Sequence, residues 1–573
     1  MAYFSLLTAA FVLLLGSFVD AQTRPSAFLS PSGQISSHVT QATITPPPLG
    51  WSSWNSFSNR VNSKIVMQQA KAMVASGMQK AGYQYINIDE GWWLGERDVD
   101  GNIVVDPKQW PALQPGEHDG DMSNVVRFIH GLGLKAGIYT DAGESGCGFY
   151  GPDLGPPMPH TGSEGHYDQD FLQFAQWGFD YVKVDWCGGN KENLDPAVQY
   201  SAIAHAIARA EKQTQHPLYY SICNWGNNSP WTWAPGIGGV TADIWRTSGD
   251  IVAPIVADTP NANRLATFSG VLSNFDQGIH PEAQHTGFYN DPDMMVLGMP
   301  GLSDRQNRVH MSLWAISGAP LLVGADLTKL GPETVSILTN AEVVTVDQDP
   351  LGLQAIKVSE PGPGLQIWSK LLAAPGERAV LLLNRRATAA DIAVSWNEIG
   401  LDPSKPAVIR NLWTRTEMQA ASTYNASVPA GDALLFKFQG TEAAAETYAA
   451  ASPANVLGGG AAPEACAPCQ TGQVVSLGGA RTLAFKVAPI VGPAFIKIRY
   501  LNSSKKWLPL ELRVDGGMSA NLVFPPGEPA DQPTSITVEV ESRQATQSSS
   551  LLFSSSDADG PMLESLSILS LKH

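Results

Sequence analysis

The chain is short of charge, and shortest of positive charge. Only 16% of its 573 residues are charged, and 36 Lys and Arg face 53 Asp and Glu, for a formal net charge of -17. Without a basic footprint to meet phosphate backbones, nucleic acid is excluded as a partner. Low charge beside a 43% hydrophobic fraction excludes a disordered chain. The sequence has no H-x-H, the usual strand signature of metal hydrolases built on barrels, and no G-x-G-x-x-G after its first strand candidate. Neither a metal nor another cofactor is therefore expected. Cysteine is scarce, and the five present are an odd number, so at least one is unpaired. Beyond the N-terminal region no run is long and apolar enough to span a bilayer, so a membrane partner is not expected.

What is abundant points elsewhere. The 16 Trp, 54 Gly and 41 Pro suggest many loops and a ring-stacking surface, a balance suited to a neutral, hydroxyl-rich ligand such as a sugar. Leu6 to Val19 is apolar, and Val19 and Ala21 are small residues at the positions a signal peptidase reads. Residues 1–21 thus read as a signal peptide and 22–45 as a tail. The mature protein is expected to be soluble and secreted, with a vacuolar or lysosome-like compartment as an alternative. Asn227, Asn425 and Asn502 begin glycosylation sequons.

From 46 to 350 the chain alternates strand and helix. Strand candidates are Leu49–Trp54, Tyr83–Ile88, Lys135–Tyr139, Phe179–Val184, Leu218–Cys223, Asp243–Arg246, Gly287–Tyr289 and Pro320–Gly324. Helical faces fall between them, such as Val66, Ala70, Met73 and Gly77, and Ser303 with Gln306 resembles a capping box. Eight such units suit an α/β fold of the closed (β/α)8 barrel type, with a doubly wound open sheet as the alternative. Alternation such as Ile392, Val394 and Trp396 predicts an antiparallel β-sandwich over 351–440. An Ala- and Gly-rich linker is expected at 441–463, and a second β-sandwich over 464–573, with a Ser-rich loop at 548–556. Cys466 and Cys469 read either as a local disulfide or as half of a zinc site.

In such a barrel, chemistry belongs at the C-terminal ends of the strands. Those ends read "GWSSWNSF", "INIDEGWW", "GIYTDAG", "YVKVDWCGG", "SICNWG", "WRTSGD" and "NDPDMM". Carboxylates and aromatics recur at nearly every one. Lys183 and Asp185 are two residues apart on one strand and point the same way, and the ammonium favours the ionised carboxylate that a nucleophile requires. Asp250 follows Arg246 after the sixth strand. Two carboxyl groups flanking a bond, one ionised and one protonated, are what glycoside hydrolysis needs. Each Asp alone reads equally as a loop cap or a structural ion pair, and Trp54 alone as core.

Taken together, these motifs resemble glycoside hydrolase family twenty-seven, the α-galactosidase and α-N-acetylgalactosaminidase family, from about Pro47 to Gln439. The resemblance implies a retaining exo-glycosidase with Asp185 as nucleophile and Asp250 as general acid/base. It implies that Trp54 underlies the sugar and that Asp89 and Glu90 hold its O4 and O6. Tyr139, Cys147, Lys183, Cys223, Trp225, Arg246 and Met294 match the rest of the sugar shell, Cys147 and Cys187 a disulfide, and Asp293 a place beside the pocket. Two departures stand out. Gly91 replaces a common Cys, and the acidic pair, usually Asp-Asp, is Asp89-Glu90. The C-terminal region is similar to appended carbohydrate-binding modules. The activity implied is α-galactosidase on galactosyl oligo- or polysaccharides. The alternatives are a β-L-arabinopyranosidase, an α-N-acetylgalactosaminidase, disfavoured because Cys223 and Trp225 crowd the sugar's 2-position, and a catalytically dead carbohydrate-binding protein.

Overall fold

The computed structural model describes residues 40–41 and 45–571, apart from 148–159, 236–241, 252–265, 286 and 543–546. The signal-peptide segment lies outside these residues. Eight parallel strands form one sheet: β1 Leu49–Ser52, β2 Tyr85–Asn87, β3 Lys135–Asp141, β4 Tyr181–Asp185, β5 Tyr219–Cys223, β6 Ile244–Arg246, β7 Tyr289–Asp291 and β8 Leu321–Val323. Each overlaps a segment expected from the sequence. The sheet order is β7-β6-β5-β4-β3-β2-β1-β8. It closes on itself because Met295, just past β7, bridges Val323 of β8. The Met295 N–H donates to Leu322 O at 2.6 Å and Gly324 N–H to Met295 O at 2.8 Å. The result is a (β/α)8 barrel rather than an open sheet.

The strands are buried on both faces, as crossover helices on the outside require. Helix Pro196–Thr214 starts where the Asp195 side chain accepts from the Ala197 and Val198 N–H groups, with Pro196 in the first turn. Helix Asp304–Ser317 carries the expected capping box: Ser303 accepts from Gln306 N–H at 3.4 Å and Gln306 Oε1 from Ser303 N–H at 2.9 Å. At the strand starts, Tyr85, Tyr181, Tyr219, Ile244 and Tyr289 pack together and plug the N-terminal end, with Tyr181 and Tyr219 stacked at 5.8 Å. The opposite end stays open for the site.

Beyond the barrel, a six-stranded antiparallel sheet spanning 356–439 faces the pair Ala390–Ser395 and Thr423–Val428. Ile392, Val394 and Trp396 are all in the core between them. A last sandwich of seven and five strands follows. The linker expected at 441–463 is corrected, because Glu446–Ala449 pairs with Met562–Ser570 and Val456–Gly458 pairs with Thr482–Val487. Residues 40–41, read as tail, form a strand beside Thr534 and Ser535. The Ser-rich segment is also a strand, Ser549–Ser554, whose Leu551 and Phe553 are buried. The last sandwich is docked rather than tethered. Phe495, Leu569 and Leu571 enter the core of the first sandwich, and Val523 joins that of the barrel. The Val523 N–H donates to His285 Nε2 at 3.1 Å, and Trp507 meets Phe288 edge-on at 5.6 Å.

Cys466 and Cys469 are bonded to each other, with their Cα atoms 5.3 Å apart, so they are not a zinc half-site. Of the sequon asparagines, Asn227 and Asn425 are exposed. Asn502 is buried, its amide donating to Lys506 O and Phe524 O, and is no acceptor in the folded chain.

Candidate active site

The barrel mouth gathers the residues picked from the sequence. Trp54 opens a short helix, Trp54–Phe57, two residues past β1 rather than ending the strand. Asp89 and Glu90 follow β2, Tyr139 lies in β3, and Lys183 and Asp185 lie in β4. Cys223 ends β5, and Trp225, held at φ +56°, stands two residues beyond it. Arg246 ends β6, and Asp250 and Met294 sit in the loops after β6 and β7. All of these but Cys223 line a single cavity of about 120 Å³, together with Cys147 and Cys187. Cys223 lies in the layer beneath, beside Ser52 and Ile138. Cys147 and Cys187 are disulfide-bonded across the mouths of β3 and β4, with Cα atoms 5.1 Å apart.

Two cations, Lys183 partly buried and Arg246 fully so, organise the carboxylates. Lys183 Nζ is 2.9 Å from Asp89 Oδ2 and 3.8 Å from Asp185 Oδ2, and lies 5.2 Å from the centre of the Tyr139 ring. Its closer partner is therefore Asp89. Asp89 also accepts from Ser52 Oγ at 3.4 Å and from the Glu90 N–H at 2.9 Å. Asp185 accepts from the Trp186 N–H at 3.0 Å. Burial pushes its carboxyl above the usual range, and Lys183 only partly offsets that, while Asp89 and Asp250 add to it. Lys183 alone therefore does not set the ionisation of Asp185.

Arg246 is the second cation. Its Nη2 reaches Asp250 Oδ1 and its Nη1 reaches Asp293 Oδ1, each at 3.0 Å. Asp293, in the left-handed region at φ +100°, also accepts from the Ile251 N–H at 2.8 Å. Burial lifts its carboxyl to about 7 against the pull of Arg246. Asp293 thus stands behind Asp250 and shares its guanidinium. Arg246 Nη1 also donates to Cys223 Sγ at 3.6 Å. Burial, then the Asp185 charge, keeps the Cys223 thiol well above its ordinary pKa.

Several supports escaped the sequence reading. Asp141, at the end of β3, accepts from the backbone N–H groups of Gly143, Cys187 and Gly188 and so anchors the disulfide loop. Burial and the neighbouring Asp185 raise its carboxyl to about 8. Its only sequence signal was a position at a strand mouth. Asp291 accepts from the Asp293 N–H at 2.9 Å and fixes that turn. Trp93 packs 5.7 Å from Tyr139. Gly91 has a steric reason: at φ +110° a Cβ there would meet the Asn59 Cα at 2.5 Å, which excludes the Cys common at this position. Glu90 is buried, and a Cβ on Gly146 would lie 2.7 Å from its Oε1 and 3.0 Å from Trp93 Cζ2. The longer carboxylate is therefore walled into the site, with Gly146 leaving it room.

Comparison with known proteins matches this geometry. Residues 46–349 fit the family model for alpha galactosidase A, and 362–438 that for the alpha galactosidase C-terminal beta sandwich domain. A probable alpha-galactosidase of Dictyostelium discoideum is 38% identical over 65% of this chain and 86% of its own length. Alpha-galactosidase A of Cellvibrio japonicus is 38% identical over 70% of this chain and 93% of its own. Alpha-galactosidase I from Mortierella vinacea superposes with a TM-score of 0.59 at 30% identity, covering 70% of this chain and 98% of that one. With two such models matched in order and the mouth built as described, the chain belongs to glycoside hydrolase family twenty-seven, the α-galactosidase (melibiase) family.

Proposed function

We propose that the protein is an α-galactosidase that releases terminal non-reducing α-D-galactosyl residues with retention of configuration. The observation that carries this reading is the pairing of Asp185 and Asp250 in one small cavity that also holds Trp54, Lys183 and Arg246. Asp185 attacks the anomeric carbon while Asp250 protonates the departing glycosidic oxygen. Water, deprotonated by Asp250, then cleaves the galactosyl–Asp185 ester. Lys183 and Arg246 pair with four carboxylates, Asp89, Asp185, Asp250 and Asp293, and offset their charge at the mouth. Trp225 lines the pocket, and its bulk on the side of the sugar's 2-substituent favours a hydroxyl over an N-acetyl group, while Cys223, in the layer beneath, takes no part in that contact. No step of this mechanism calls for a metal or another cofactor. The test is Asp185→Ala: hydrolysis of an unactivated galactoside falls to near background, and azide restores turnover on a nitrophenyl galactoside. Substantial activity of this variant on the natural linkage would overturn the assignment.

One observation supports a second specificity. β-L-Arabinopyranose has the ring and hydroxyl arrangement of α-D-galactose but lacks C6. Because Glu90 is buried, with its Oε1 2.7 Å from where a Cβ on Gly146 would stand, its extra methylene remains in the pocket. It narrows the space for C6 and favours β-L-arabinopyranosides as additional substrates.

A further inference from the structure

A cavity of about 910 Å³ lies where the barrel, the first sandwich and the last sandwich meet. Its volume falls within the ~300–1,000 Å³ span of small-molecule sites. Glu282 contributes from the barrel, Lys357 and Trp368 from the first sandwich, and Met518, Ser519 and Glu539 from the last. Glu282 belongs to the turn that leads into β7, so the cavity is at the end of the barrel opposite the catalytic mouth.

Glu539 is the unusual wall. It sits in strand Thr534–Ser542, where Val538 and Val540 turn into the sandwich core and Glu539 turns the other way. Its side chain is buried, 2% exposed, and neither carboxyl oxygen has a hydrogen-bond partner among the described residues. The cation acting on it is Lys370, which already donates to Val346 O at 2.8 Å and is shared with Asp347 and Asp349. A buried carboxyl without a partner destabilises the fold, and a purely structural contact would be better served by an aliphatic residue. A ligand hydroxyl pair would satisfy both oxygens.

The surroundings select the ligand. The walls add Asp276, Asp515 and Glu541 to Glu282 and Glu539 against Lys357, which rejects anions. Among the described residues no three ligating groups of this cavity converge as a metal ion requires. Trp368, Met518 and neighbouring prolines offer apolar surface to a ring. We propose that this three-module junction is a second, non-catalytic site that binds a neutral oligosaccharide through Glu539. The last sandwich then serves sugar recognition through its docked face.

Calorimetric titration of the full chain tests this, with galactose saturating the catalytic mouth. The probes are maltotriose and cellotriose, neither of which has a galactosyl end. At least one trisaccharide is expected to bind with a stoichiometry of one. Glu539→Leu should weaken it at least tenfold, and Met518→Trp, which fills the cavity from its partly exposed rim, should abolish it. Both variants keep the parent kcat/KM on nitrophenyl α-galactoside, which separates this site from the catalytic one. No saturable binding at millimolar sugar, binding unchanged in both variants, or saturation by spermidine instead of either sugar would each overturn the proposal.

Discussion

Glu90 offers the sharpest test of how this pocket reads a sugar. The perturbation is Glu90→Asp, which withdraws the buried carboxylate by one methylene from the wall that Gly146 forms. Glu90 Oε1 lies 2.7 Å from where a Cβ on residue 146 would stand, and Trp93 closes the same side. A methylene in a closed pocket is worth ~1–3 kcal/mol between competing substrates, or about 5- to 150-fold. The assay is kcat/KM on nitrophenyl α-D-galactopyranoside and on nitrophenyl β-L-arabinopyranoside. Glu90→Asp should move the ratio toward galactose within that range. Gly146→Ala tests the wall itself, because the new methyl cannot coexist with the present carboxylate position and drives it further toward the sugar. The ratio should then move toward arabinopyranose. A ratio unchanged in Glu90→Asp refutes the reasoning, since Glu90 would then not touch the C6 side at all.

The acid limb of the kcat/KM profile should report Asp185. The nucleophile works ionised, so activity is lost as pH falls through its pKa, and its raised value places that loss above the ordinary carboxylate range. Lys183→Met removes a charge that lowers this pKa, so the limb should move to higher pH, whatever happens to the maximal rate. Replacing Cys147 and Cys187 by Ser opens a link of sequence separation 40, worth ~4 kcal/mol by loop entropy, and should lower Tm and activity together. Truncation after Gln439 uncovers core contacts of Phe495, Leu569, Leu571 and Val523. With ~1.5–3 kcal/mol at stake for each large side chain, the shortened chain should melt at lower temperature or aggregate in a thermal shift assay. An unchanged Tm would mean that the docking is not stabilising.

The barrel was legible because its strands are short apolar runs bounded by turn residues, and because their C-terminal ends carry the chemistry in order. Asp185, Asp250 and the shell expected around them are read from strand mouths and the resemblance those mouths carry, and all but Cys223 line one cavity. What composition hid was pairing at a distance. The Ala-rich stretch contains Tyr448, whose strand partner is Leu566, more than a hundred residues away. Small residues there fit an edge strand as well as a linker, and nothing local separates the two. The same holds for Asp141 and Asp293. Each is one carboxylate among many until the backbone N–H groups or the guanidinium that it meets are known. Gly91 shows the converse: a glycine that looked like the loss of a common Cys is required by the approach of Asn59.

Cys223 gives the site a liability that the finished enzyme conceals. It is the one unbonded cysteine among the described residues, and in the native barrel it is buried and protonated, hence a poor nucleophile. Before β5 is in place it enjoys neither protection. It is then an ordinary thiol competing with Cys147 and Cys187 for the same partner sulfur, and thiol–disulfide exchange proceeds freely among accessible thiolates. The order of events during oxidative folding therefore matters: if the loop of β3 oxidises before β5 packs, a wrong link to Cys223 seals the barrel half open. Refolding from the reduced state should yield more active protein when a thiol–disulfide couple allows reshuffling than when oxidation is fast and irreversible.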